Sequence, residues 1–189
     1  MPLTTLDFHT ALIVIDLQQG IIGAQFIHPI AEVVNRTLSL IEAFRQTELP
    51  VVLVNVEGRA PGRTEQPRHQ QTLPEGWANL IPELDRQPGD ILVTKRTWGA
   101  FANTDLEIRL KQMGVTQVVI TGVATGTGVE STARQAHEAG FNVTLAIDAM
   151  TDVRPEAHEY SLRHVFPRLG ETGSTQDVLA LLAKRRVEQ

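Results

Sequence analysis

Six short apolar runs constrain this chain more than any other feature: Ala11 to Ile15, Val51 to Val56, Ile91 to Thr94, Val118 to Thr121, Val143 to Ile147 and a weaker Arg168 to Glu171. Most are rich in β-branched residues and do not alternate with polar ones. A strand with one wet face alternates, so these runs read as strands covered on both faces, the habit of parallel sheets. Parallel neighbours need crossover connections, and the intervening sequence supplies them. From Ala31 to Gln46, the residues Val33, Val34, Leu38, Ile41, Ala43 and Phe44 fall roughly on one helical face, and Leu106, Ile108, Leu110 and Met113 do the same before Gly114. A third helix is predicted from near Gly126 to Gly140, where a left-handed C-cap is natural. Repeating strand, turn and helix makes a doubly wound, Rossmann-like α/β sheet. In such sheets ligands sit at the carboxyl ends of the strands, near the point where strand order reverses.

The 189 residues fit one domain, 1–189, with no linker, repeat or low-complexity tract to divide it. Gly58 to Gly89 is the irregular part. It carries Pro61, Pro67, Pro74, Pro82 and Pro88 and reads as a long surface excursion of the kind that forms lids or interface arms. A formal net charge of -5, with no long run of Lys or Arg, argues against nucleic acid as a partner. Ala11 to Ile15 is far too short to span a bilayer and Met1 to Thr10 has no basic leader, so a cytoplasmic protein without a membrane partner is expected. The chain has no cysteine. That excludes disulfides, Cys-ligated metals and every thiolate nucleophile.

Polar residues gather at the carboxyl ends of the predicted strands: Asp16 after the first, Asn55 and Glu57 at the second, Lys95 after the third, Thr125 beyond the fourth and Asp148 after the fifth. Topology puts them on one rim. A carboxylate and an ammonium meeting in an apolar cleft form an acid/base constellation, because burial and the partner charge pull their pKa values in different directions. A structural ion pair is the plainer alternative. The segment Gly122-Val-Ala-Thr-Gly-Thr-Gly-Val-Glu-Ser-Thr-Ala-Arg134 is a glycine-rich turn opening a helix, whose free N–H groups can bind an anion. It is not a Walker loop, since Val129 and Glu130 follow Gly128 where Lys and Ser or Thr are required. It approximates a dinucleotide fingerprint from Gly126 to Ser131, with Asp148 further on. Against that, Ser131 replaces the last glycine and Gly126 stands too far from the strand end at Gly122. The histidines, His9, His28, His69, His137, His158 and His164, show no metal-ligand spacing and read as surface or internally satisfied side chains. Trp98 and Phe101, just past the third strand, read as pocket walls or as core.

Three blocks, in order and with matching spacing, carry a family resemblance: Ala11-Leu-Ile-Val-Ile-Asp16-Leu-Gln-Gln-Gly20, Lys95-Arg-Thr-Trp-Gly-Ala-Phe101, and the Gly122 to Arg134 segment. Together they resemble the isochorismatase-like hydrolase superfamily over nearly the whole chain apart from Gly58 to Gly89. The resemblance implies a six-stranded parallel sheet with helices on both faces, assembly as a homodimer or homotetramer, and a non-proline cis peptide between Val123 and Ala124. In most members an Asp, a Lys and a Cys form a triad. The first two correspond to Asp16 and Lys95 and the third to Gly128, so thiolate attack on an amide, the chemistry of nicotinamidase-like and carbamoylsarcosine-amidase-like members, is excluded. The metal motif of the nicotinamidase branch is also missing, for Asn55-Val-Glu-Gly-Arg59 stands in its place. True isochorismatases likewise carry Gly at the nucleophile position and cleave a vinyl ether by acid catalysis, but they usually read Gly-Val-Tyr-Ala-His where this chain reads Gly122-Val-Ala-Thr-Gly-Thr127. The chain is closer to a cysteine-less branch reading Gly-Val-Glu-Ser-Thr-Ala-Arg.

Residues and resemblance together lead to the expectation of a cofactor-independent hydrolase of a small anionic metabolite. Asp16 is the expected general acid, Lys95 its electrostatic partner, Gly128 the replacement for the thiol, and the amides of Ala124 to Gly128 an oxyanion cradle. Expected substrate contacts are Trp98, Phe101, Ala124, Thr125 and Thr127, with no metal. An ammonium lowers a neighbouring carboxyl pKa whereas an acid catalyst needs it raised, so burial or substrate charge has to win. Two alternatives stand beside this: a catalytically silent binding protein that kept the pocket, and an amidohydrolase using Thr127 or Ser131. Thr127 lies about 100° around the helix from position 128 and Ser131 nearly a turn deeper, so neither hydroxyl takes the thiol's place without rearrangement.

Overall fold

Unalternating apolar strands can satisfy their backbone groups only on one another, and they do so in one all-parallel sheet of order β3-β2-β1-β4-β5-β6. The structure, a computed structural model, describes residues 3–65 and 73–185. The strands are β1 (Thr10–Ile15), β2 (Val51–Val56), β3 (Ile91–Lys95), β4 (Gln117–Val123), β5 (Asn142–Thr151) and β6 (Glu171–Gly173). Central β1 and β4 are buried along their whole length, as a strand covered on both faces must be. The helices are α1 (Gln19–Ile22), α2 (Ile30–Gln46), α3 (Leu106–Gln112), α4 (Glu130–Glu138), α5 (Pro155–Tyr160), α6 (Phe166–Leu169) and α7 (Thr175–Arg185).

Two apolar cores flank the sheet. One is filled by Leu40, Ile41 and Phe44 of α2 with Val178 and Leu182 of α7; the other takes Leu106 and Leu110 of α3, Ala133 and Ala136 of α4, and Phe166. The chain lays down β1, β2 and β3 outward in one direction and resumes with β4 on the other side of β1. Strand order therefore reverses between β1 and β4, which is where a ligand site belongs in this architecture.

The sequence pattern misplaces two strand ends. Arg168 and Leu169 belong to α6, begun by Phe166-Pro167, and β6 starts only at Glu171. The fifth strand does not stop at Ile147. Ile120 pairs with Leu145 but Gly122, two residues on, pairs with Met150, five on, so β5 bulges and then continues to Thr151. Asp148 consequently lies inside the strand. Its Oδ1 accepts from Thr175 N at 2.6 Å and Oγ1 at 2.9 Å, capping the start of α7 instead of joining the rim. Helices α5 and α7 are not singled out in the sequence, although Val178 and Leu182, four apart, form the buried face of α7.

The excursion after β2 returns as a strap and not as a free arm. Gln19 N donates to Asn79 O at 2.8 Å and Gly20 N to Trp77 O at 2.9 Å, while Arg45 ties Asp90, just before β3, to the end of α2. Pro67 and His69 lie outside the described residues.

Gly122 has φ +111°, and a Cβ there would overlap the carbonyl oxygen and nitrogen of Ile15. Only glycine lets the end of β4 close onto the end of β1. Gly122→Ala is expected to destabilise the fold by about 3 kcal/mol or more, from the left-handed backbone and the backbone overlap together. The midpoint of urea unfolding measures this.

Candidate active site

Asp16 leaves β1 with φ +53°, in the left-handed region that Asp tolerates better than most residues. Both of its backbone groups hold it there: Asp16 N donates to Val54 O, and Gln18 N donates to Asp16 O, each at 2.9 Å. Lys95 ends β3, two strands away or roughly 10 Å in strand spacing. Only a long side chain crosses that gap. Lys95 Nζ donates to Asp16 Oδ2 at 2.7 Å and to Thr97 O at 3.3 Å. The side chains of Lys95 and Asp16 are 2 % and 7 % exposed.

Burial raises the Asp16 carboxyl from 3.8 to about 6, against the opposing pull of the Lys95 ammonium and its hydrogen bond. Desolvation wins, as acid catalysis requires. The hydrogen bonds also fix where the proton sits. An ammonium can only donate, so Oδ2 must accept, and the proton of neutral Asp16 belongs on Oδ1. Among the described residues Oδ1 is the buried side-chain polar atom left without a partner.

The chain after β4 enters a single π-helical turn, Thr125–Val129, before α4. The Val123–Ala124 peptide is cis. Gly128 faces the pair: a Cβ built on it would lie 3.0 Å from Ile15 Cγ2, 3.1 Å from Asp16 Oδ2 and 3.2 Å from Val123 O. Asp16, Lys95 and Gly128 thus meet at the β1/β4 reversal. The amides of the turn are less free than a cradle needs. Gly126 N donates to Asp152 Oδ2 at 2.8 Å and Thr127 N to Ala124 O at 3.1 Å. The anion bound at this glycine-rich turn is the protein's own Asp152.

Other rim residues scatter. Thr125 is buried, with Oγ1 2.8 Å from His158 Nδ1; Ala124 and Thr127 are half-buried. Neither the Thr127 nor the Ser131 hydroxyl is hydrogen-bonded to an imidazole or a carboxylate among the described residues, so neither has an activating base. Phe101 is not a pocket wall. It lies in the core against Phe141, ring centroids 5.8 Å apart, because Gln135 Oε1 accepts its N–H and draws the loop onto α4. Trp98 stands on the same loop, 68 % exposed. Asn55 is structural, donating to Ala78 O and accepting from Thr94, and Glu57 is exposed.

Five further residues, not singled out in the sequence, brace the site. Buried Gln18 donates to Val56 O and Trp77 O and accepts from Val56 N, tying β2 to the strap. Thr132 donates to Gly128 O and accepts from Ala100 N, and Gln135 accepts from Phe101 N and Ala102 N. Asp152 and His158 grip the turn from outside. Gln18 and Thr132 fall inside the motif blocks, whereas Asp152, the first residue after the true end of β5, and His158 belong to no motif. No group of three or more metal-ligating side chains occurs among the described residues. A groove of about 480 Å³ lies at the amino ends of the strands, beside Gln117 and Asn142, and contains none of these residues.

Residues 10–177 match the isochorismatase domain family. The chain belongs to the isochorismatase family. It is 39 % identical over 183 residues to the isochorismatase family protein YwoC of Bacillus subtilis, covering 92 % of this chain and 95 % of that one. To the family protein YecD of Escherichia coli O157:H7 it is 41 % identical over 180 residues, covering 92 % and 96 %. An isochorismatase family protein from Burkholderia thailandensis has the same fold at a TM-score of 0.90 and 38 % identity, over 95 % of this chain and 98 % of that one. This family member is therefore an isochorismatase-like hydrolase. No helix among its described residues is long and apolar enough to cross a membrane.

Lys95 lowers the Asp16 pKa, so Lys95→Met is expected to lift it above 6. A carbon-13 titration of the Asp16 side-chain carboxyl reads this directly, and an unchanged midpoint would show that the ammonium exerts no field on it.

Proposed function

We propose that this hydrolase cleaves a small anionic vinyl ether by acid catalysis, without a covalent enzyme intermediate and without a cofactor. The observation that carries this is the Asp16 carboxyl, buried beside Lys95 with a pKa of about 6 and an unpartnered oxygen to hold the proton. Gly128 supplies no nucleophile. Asp16 Oδ1–H delivers its proton to the terminal carbon of the enol ether, forming a C–H bond and an oxocarbenium ion. Water adds to that ion and returns a proton, and the hemiketal collapses to pyruvate and a diol. Lys95 keeps the proton on Oδ1 and balances the carboxylate left behind. Asp16, Lys95 and Gly128 are the proposed catalytic set, with Ala124, Thr125 and Thr127 lining the turn beside it.

Isochorismate is the first compound to test, with pyruvate release followed through a coupled reductase. Turnover is expected to survive thiol alkylation, to need no added metal, and to fall at least about 100-fold in Asp16→Asn. Because the reactive form is the protonated acid, kcat/KM is expected to drop about tenfold per pH unit above roughly 6. Ammonia release from amides would replace this proposal with an amidohydrolase. A rise in melting temperature with small carboxylates but no product from any substrate would replace it with a binding protein.

The same proposal places the enzyme in the cytoplasm as a homodimer or homotetramer. Exposed Trp98, on the loop after Lys95, supports a subunit contact at this rim. Light scattering at micromolar protein is expected to exceed the 20.8 kDa of one chain.

A further inference from the structure

Thr125 opens the turn after β4, and its buried Oγ1 lies 2.8 Å from Nδ1 of His158, itself 4 % exposed. His158 belongs to α5, and that segment touches the turn and its helix at two more points. Ala157 lies beneath Gly126, where an added Cβ would come within 2.9 Å of its Cβ, and Ser161 Oγ donates to Glu130 Oε2 at 2.6 Å. On its other side the same turn presents Gly128 to Asp16.

We propose that His158 is a positioning residue for the Asp16 site: through Thr125 it fixes the turn that carries Gly128, and with it the closure of that turn over the Asp16 carboxyl. The proposal rests on the Asp16 site being the seat of chemistry. His158 is wedged in place. Its ring meets His28 edge-on, with centroids 4.9 Å apart, and His28 Nδ1 is 3.1 Å from Thr151 Oγ1. The ionisable groups acting on His158 are His28, Glu159 and Asp152; burial first, then His28, holds its pKa below the ordinary value. The ring is neutral near pH 7, so Nδ1 can accept the Thr125 hydroxyl proton. Asp152, bonded to Gly126 N, holds the turn's second amide in the same frame.

The test is the Asp16 carboxyl titration, which needs no substrate. In His158→Ala and in the near-isosteric Thr125→Val, the turn loosens, water reaches Asp16, and its pKa is expected to fall from about 6 by roughly one unit or more. His158→Asn, whose amide stands where Nδ1 was, is expected to restore the wild-type midpoint. An unchanged Asp16 midpoint in folded His158→Ala and Thr125→Val would overturn the proposal, and so would an Asn variant that shifts as far as Ala. If His158→Ala does not fold, Thr125→Val decides alone. Where isochorismate is turned over, the Ala variant is expected to lose kcat about tenfold with KM little changed. Absence of pyruvate would sink the vinyl-ether proposal and leave the titration result standing, so the two failures are distinguishable.

Discussion

The hydrogen bond between Lys95 and Asp16 sets the terms for the rest of the molecule. It crosses β2 at the top of the sheet, so the ends of β1, β2 and β3 must stay in register for it to form. Removing one partner of a buried pair strands a charge in a dry site, at about 3–5 kcal/mol, whereas replacing both with apolar residues is often neutral. Such a pair is thus a poor device for stability alone. Gln18 N bonds to Asp16 O beside it, so the pair is framed by the backbone as well as by the strands.

The burial that raises the Asp16 pKa also weakens the fold near neutrality. The Asp16 pKa is higher folded than unfolded, so its contribution to stability is greatest below about pH 4 and is lost as pH rises through about 6. Lifting a carboxyl from 3.8 to about 6 corresponds to about 3 kcal/mol of stability forgone at neutral pH. Two apolar cores on either face of the sheet offset it.

Much of this is legible in the chain because parallel strands and crossover helices write themselves as apolar periodicity. Asp16 and Lys95 are readable as strand-end residues, and Gly128 through the family resemblance, at the place of the absent thiol. Where the pattern fails, a local feature overrides periodicity. The bulge in β5 moves Asp148, one of its own residues, off the rim and puts Asp152 on it, and a polar residue after an apolar run reads in sequence as a strand end. Phe101 sits in the core because Gln135, a helix residue 34 positions away, holds its backbone, and no short-range rule reports that. His158 is one histidine among six in the sequence. Only the docking of α5 onto the turn sets it apart.

Gly128 has a consequence for any side chain put in its place. A Cβ at this position would press at 3.0 to 3.2 Å on a buried isoleucine methyl, a carboxylate oxygen held by Lys95, and a backbone carbonyl, none of which is the free end of a flexible chain. Those three atoms would have to give by a few tenths of an ångström before any side chain fitted there. A side chain could therefore enter the site here only with a small shift of the end of β1 or of the turn after β4.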